Sequence, residues 1–299
     1  FGVVNRYDLS QEFPIMTLRK TGFRNAIDEL LWIWQKKSNN IHDLHSHIWD
    51  AWADENGSIG KAYGYQLGVK HHYAEGDMDQ VDRILYDLKH NPGSRRIISN
   101  IYNHADLSKM RLYPCAYSMT FNVSGNRLNA ILNQRSQDML VANNWNVCQY
   151  AVLVYMMAQV SGLEAGMLMH VIADAHIYDR HVPLVEELIS REPLDAPRFI
   201  IDKSIDDFYK FTVDSFSLEG YESHGSIGKT LESLPGGRPL ENRRNIVLTR
   251  NRDRVPDGAD AVSSIDELKR AIGSDKAFVI GGESIYAMLL DYCKRAYVT

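Results

Sequence analysis

The chain has 299 residues, 44% apolar and 24% charged, which supports one large or two ordinary globular domains and excludes a disordered or fibrous protein. Its net charge of -5 argues against a general nucleic-acid surface, so phosphate binding must come from local arginine clusters. Three cysteines, Cys115, Cys148 and Cys293, without CxxC spacing give neither a zinc site nor a disulfide framework; no metal is expected, and a reducing compartment fits.

From Thr21 to Lys37 the pattern is helical, with Phe23, Ile27, Leu30, Leu31 and Trp34 on one stripe. The unbroken apolar turn from Leu30 to Trp34 predicts burial on more than one side. Glu29 stands just before it. A carboxylate there is either desolvated, with the raised pKa that proton transfer uses, or a surface group on the wet face. Trp49 and Trp52 follow at i, i+3, then the acidic loop Asp54–Gly57 and Tyr63 beside Gly64. A helix is predicted from Met78 to His90, stopped by the turn Asn91-Pro-Gly-Ser94. Arg95 and Arg96 lead into Ile97-Ile98; in a strand their guanidiniums would point to opposite faces.

Residues 112–138 read as two strands joined at Ser124-Gly125-Asn126. Near the start of the first lies Cys115, directly after a proline and flanked in sequence by Arg95, Arg96 and Arg135. A thiol attacks as thiolate, and the free pKa near 8.5 leaves it mostly protonated at neutral pH, so a working cysteine needs such positive charge. The apolar run from Val147 to Leu163, broken by Gln149, Gln159 and Ser161, is too interrupted for a membrane span and reads as a buried core helix. Gly166 to Ile177 reads as a buried strand ending at His176 and Tyr178, and residues 181–221 give a further helix, a loop, a helix or turn around 204–211 and a last strand to Tyr221. Beyond these, Asn245–Thr249 reads as a strand, Ser264–Ile272 as a serine-capped helix, and Ala277–Ile280 as a strand entering Gly281-Gly282 and a helix, an order suited to phosphate binding. No secretion signal is seen at Phe1-Gly-Val-Val4.

Taken together, Asp28–Trp32, Ile48–Gly57, Ala62–Gly64, Ser94–Ile97, Pro114-Cys115, Gln134–Ser136, Asp138, Trp145-Asn146 and His176–Tyr178 resemble thymidylate synthase over residues 1–227. Residues 228–299 resemble part of a dihydrofolate reductase, through Gly228–Leu234, Gly237–Leu240, Arg243–Thr249, Val279–Gly282 and Tyr286. The resemblance implies an α+β fold, a mixed sheet with packed helices, followed by a partial α/β segment. It implies methylation of dUMP to dTMP with 5,10-methylenetetrahydrofolate, in a cytoplasmic homodimer without membrane association.

By the same resemblance Cys115 is the nucleophile, with Glu29, Tyr63 and Arg135 completing the catalytic set. Arg95 and Arg96, reaching in from the partner, join Arg135, Ser136, Asn146, His176 and Tyr178 in binding dUMP. Trp49, Trp52 and Asp138 face the folate. The Asn146 amide can donate to O4 and accept from N3–H, a match to uracil rather than cytosine. Two departures are visible: Asn143-Asn-Trp145 stands where Gly-x-Pro-Phe is common, and Ala116 where many members have histidine. No counterpart of the family's N-terminal phosphate loop is expected here, and its C-terminal tail is expected to be altered or absent.

In the later segment Lys229, Thr230, Thr249, Gly281, Gly282 and Tyr286 would face NADPH and Arg243 the folate carboxylate. The reductase's first strand, acidic residue and final strands are missing from this sequence, so NADPH use is expected only with a fuller reductase, and this segment is not expected to reduce dihydrofolate alone. The alternatives are a pyrimidine hydroxymethylase and an inactive nucleotide- or RNA-binding homologue.

Overall fold

The computed structural model describes residues 2–225, 244–249, 255, 259–273 and 289. The chain forms two compact units, one of residues 1–178 and 189–225, the other of 179–188 and 226–299. In the first unit the strands are β1 (Val3–Asp8), β2 (His71–Tyr73), β3 (Gly76–Met78), β4 (Ile98–Asn100), β5 (Ala116–Ser124), β6 (Arg127–Asp138), β7 (Glu164–His176), β8 (Arg198–Ile201) and β9 (Phe216–Glu219). Its helices are α1 (Phe23–Trp34), α2 (Gly64–Gly68), α3 (Gln80–His90) and α4 (Asn143–Val160).

The main sheet has five strands in the order β1-β7-β6-β5-β4. β5 and β6 form a hairpin whose two-residue turn begins with Gly125 at φ 62, a left-handed conformation that favours glycine. β6 and β7 run parallel, so the chain must cross over between them, and α4 is that crossing. Thirteen of the 18 residues of α4 are buried, on all sides of the helix. That is why its sequence reads as an apolar run rather than a stripe: α4 lies between the sheet and α1. The predicted stripe of α1 is buried in full, as is its apolar turn Leu30–Trp34.

Alternation fixes the two faces of the sheet. Leu128, Ala130, Leu132 and Gln134 of β6 and Leu168, His170 and Ile172 of β7 are buried on the helix side. The other face carries Val4, Ile98 and Ile131, all exposed, with Met167 and Met169 half-buried among them. Among the described residues no helix is long and apolar enough to cross a membrane.

The structure departs from the sequence reading at several boundaries. β4 begins at Ile98, so Arg95 and Arg96 lie in the approach to the strand rather than on its two faces. β5 begins at Ala116, because Pro114 has no N–H for a ladder. α4 begins four residues before the predicted 147, and β1, the β2–β3 hairpin and β8 had no strand signal.

In the second unit, β10 (Asn245–Leu248) and β11 (Ala259–Val262) pair in parallel, with α6 (Ile265–Ile272) packed beside them; a short helix, α5 (Val182–Ile189), falls largely in the same unit. The Ser264 hydroxyl accepts from the Glu267 N–H, the cap expected there. Val262, Leu268 and Leu289 form its described core.

Candidate active site

Cys115 sits at a bend just before β5, half-buried. The bend is held from β6: Arg135 Nε donates to the Pro114 carbonyl at 2.9 Å and Nη2 to the Tyr113 carbonyl at 2.8 Å. The same Nη2 lies 3.7 Å from the Cys115 sulfur, and the Arg135 N–H donates to the Cys115 carbonyl at 2.9 Å. One guanidinium therefore fixes the backbone around the thiol and presents positive charge to it, a use of the planar fork that lysine cannot copy. The other free thiol described, Cys148, is fully enclosed, and burial pushes its pKa up. It is the inert cysteine of the pair.

Behind Cys115 stands Tyr63, whose hydroxyl accepts the Cys115 N–H at 3.2 Å. Tyr63 is buried and has φ 46, a left-handed conformation costly for an aromatic residue. The conformation is held by close packing: a Cβ on the next residue, Gly64, would lie 2.4 Å from the Ser38 carbonyl oxygen. Burial pushes the Tyr63 phenol well above its usual pKa.

Tyr63 packs edge-on against Trp49 at 4.9 Å between centroids, and the Trp49 indole donates to Glu29 Oε1 at 2.5 Å. Two more donors, Trp145 Nε1 and Gln149 Nε2, each reach Glu29 Oε2 at 2.5 Å. Glu29 is 6% exposed. Burial raises its pKa, and the three N–H donors only partly oppose that. Of its two sequence readings, the desolvated carboxylate is the one observed.

Cys115, Arg135, Tyr63, Trp49 and Glu29 thus form one connected group. Asn146, in the first turn of α4, joins it by donating to Gln149 Oε1 at 3.0 Å. Ser136 follows Arg135 on β6, its hydroxyl without a partner among the described residues. At the end of β7, His176 lies opposite Asp138 in the register; Tyr178 is two residues past the strand, yet its ring is 5.2 Å from that of His176. Asp138 Oδ1 accepts from the N–H groups of Leu140 and Val141, closing the turn after β6. Trp52 is 40% exposed and touches Trp49 edge-on at 5.7 Å.

Arg95 and Arg96 are not brought to this group within the chain: both are exposed, with no ion pair among the described residues. Lys229, Thr230, Arg243, Gly281, Gly282 and Tyr286 lie outside the described residues. Thr249 is described, and its N–H donates to the Val262 carbonyl at 2.8 Å.

Sequence reasoning assigned no role to Trp145, Gln149, Gln134 or His170. A signal was present for Gln149, since a glutamine in a fully buried helix must find partners or carry a large desolvation cost. Trp145 belongs to the departure noted above, and Gly22 accommodates it: a Cβ there would lie 3.0 Å from the indole ring.

A half-buried thiol beneath a guanidinium, backed by a buried phenol and carboxylate, is the equipment of an enzyme that bonds its substrate transiently to sulfur. The thymidylate synthase family pattern matches residues 1–232 and the dihydrofolate reductase pattern residues 224–299. The chain is 46% identical over 224 residues to the thymidylate synthase of Bacillus subtilis subsp. natto, covering 74% of this chain and 80% of that one. With thymidylate synthase 1 of Bacillus amyloliquefaciens it shares 44% over 230 residues, 76% of this chain and 99% of the relative. The solved thermostable thymidylate synthase A from Bacillus subtilis superposes with a TM-score of 0.72 at 43% identity, covering 74% of this chain and 81% of that one. The chain belongs to the thymidylate synthase family, and a dihydrofolate reductase-like region follows the synthase region.

Proposed function

We propose that this chain methylates dUMP at C5, with Cys115 as nucleophile and 5,10-methylenetetrahydrofolate as co-substrate. The observation that carries the reading is the contact between the Cys115 sulfur and Arg135, within the group that also holds Tyr63 and the buried Glu29.

The residues fit both ligands. Arg135 Nη1 and the Ser136 hydroxyl, without partners among the described residues, suit a nucleotide phosphate. His176 and Tyr178 suit the ribose hydroxyl, and Asn146 the uracil edge. Exposed Ile48, Trp52 and Val141, on the segments flanking the indoles that hold Glu29, offer the apolar surface that a pterin and its aryl group require. When bound, the folate supplies the one-carbon unit and then hydride. Sulfur from Cys115 adds to C6 of dUMP. Asn146 stabilises charge developing at O4, and Glu29, kept from water by three N–H donors, moves protons at the ring.

We further read the active form as a homodimer in the reducing cytoplasm. The sheet face on which Val4, Ile98 and Ile131 are exposed supports an interface between two copies, and Arg95 and Arg96, without ion pairs among the described residues, support a phosphate contact made across it. Mixing an Arg95→Ala/Arg96→Ala chain with a Cys115→Ser chain is expected to restore activity that neither has alone; no recovery after subunit exchange removes the shared site. NADPH belongs to the reductase-like region, where the parallel β10–β11 pair with α6 supports an α/β element.

The test is dUMP-dependent formation of dTMP and dihydrofolate by the purified chain. We expect turnover with dUMP and none with dCMP. Binding of dUMP without a covalent complex would sink the assignment, and hydroxymethylation of dCMP would replace it.

A further inference from the structure

The strongest feature not absorbed by this reading lies under the sheet, where five polar side chains form one directed series of hydrogen bonds. Its polarity follows from groups that can only accept. Gln149 Nε2 donates to the Ala26 carbonyl at 3.1 Å and to Glu29 Oε2, so its nitrogen end is fixed. Its oxygen must then accept from Asn146 Nδ2 at 3.0 Å, which turns Asn146 Oδ1 toward Gln134 Nε2, 3.4 Å away. Of the two Gln134 N–H groups, one goes to the Ser136 carbonyl at 3.0 Å and the other is shared between Gln137 Oε1 and Asn146 Oδ1. Gln134 Oε1 is left to accept from His170 Nε2, at 2.9 Å.

His170 is fully buried, and its Nδ1 has no partner among the described residues. That is the state the series demands: a neutral imidazole with its proton on Nε2. Burial, pushing the pKa of His170 down to about 4, keeps it so.

Within the series Asn146 is the one amide without a backbone acceptor of its own; it is oriented by its two glutamine neighbours alone. Orientation matters because uracil and cytosine differ by an exchange of donor and acceptor along one edge. An asparagine held in one sense reads uracil, and one free to turn over reads cytosine as well. We propose that His170 is a positioning residue that, through Gln134, locks the Asn146 amide in the uracil-reading sense and so sets the preference for dUMP over dCMP. This rests on the assignment of dUMP as substrate.

Calorimetric titration of wild type, His170→Leu, His170→Gln and Gln134→Glu with dUMP and with dCMP tests it. The wild type is expected to bind dUMP and discriminate against dCMP. His170→Leu leaves Gln134 Oε1 without a donor and should lower that discrimination by about tenfold or more, mainly through weaker dUMP binding and a higher KM than through kcat. His170→Gln, whose amide can again donate, should recover most of it. Gln134→Glu turns an acceptor toward Asn146 Oδ1, favours the inverted amide and should gain dCMP affinity, a change that loss of folding cannot mimic. A wild type that takes neither nucleotide overturns the substrate assignment and the proposal with it. A wild type that prefers dUMP, with Gln134→Glu and any folded His170→Leu keeping the full preference, overturns the proposal alone.

Discussion

Cys115→Ser is expected to abolish tritium release from C5-labelled dUMP and the covalent complex with the nucleotide, with a loss of turnover on the order of 10⁴- to 10⁶-fold. The oxygen of serine occupies the place of the sulfur, so the bend before β5, the Arg135 bonds to Tyr113 and Pro114 and the Tyr63 contact to the backbone N–H can all persist. What disappears is the proposed nucleophile: a hydroxyl has no comparable anionic form near neutral pH, and among the described residues no base touches this side chain to create one. The variant should therefore fold as the wild type does and still bind dUMP. Cys148→Ser is the control. That thiol is enclosed and hydrogen-bonded to the Pro14 carbonyl and to Asn144, so the change can cost stability but leaves tritium release in place. Unchanged release from Cys115→Ser would remove the mechanism, whatever the family.

What the sequence made legible divides along physical lines. The apolar stripe of α1, the buried run of α4, the Gly125 turn and the Ser264 cap are written in neighbouring residues, and local patterns report them. β1 is six residues whose partners lie more than 150 positions away in β7, so nothing local announces it. The site divides the same way. Cys115, Arg135 and Glu29 could be named from motifs and burial pattern, because a nucleophile, a cation and a desolvated carboxylate are residue types with few uses. Their supports could not: the donors to Glu29 come from 20, 116 and 120 positions along the chain and meet only when α1, α4 and the Trp49 segment pack together.

That packing also explains how a chain with a net charge of -5 can be built to bind an anion. The arginines are local and geometrically placed: Arg135 is anchored to backbone carbonyls, while Arg95 and Arg96 stay free of carboxylates among the described residues. Carboxylates in the core are confined to positions where N–H groups answer them, as at Glu29. Charge near the thiol is thus set by a few fixed groups rather than by the sum over the surface.

Glu29→Gln is expected to lower kcat by about 10²- to 10⁴-fold, the range proton transfer supplies, while Cys115 still forms its adduct with dUMP. The carboxylate oxygens accept three N–H bonds; an amide offers one oxygen and one NH₂, so at least one indole or Gln149 meets a donor instead of an acceptor. The variant should accordingly be less stable by about 1–3 kcal/mol at neutral pH, the cost of an unsatisfied buried donor. The pH dependence separates charge from packing. Because burial raises the pKa of Glu29, its protonated form is favoured in the folded chain: the associated stability is fully present below the ordinary glutamate pKa and is lost as pH rises through the raised value. In the wild type, urea unfolding should show that decline across the interval. In Glu29→Gln it should be missing, so the stability gap between the two proteins narrows as pH rises and then levels. A gap independent of pH would mean that Glu29 titrates as a solvated carboxylate does, and its proposed part in moving protons would have no physical basis.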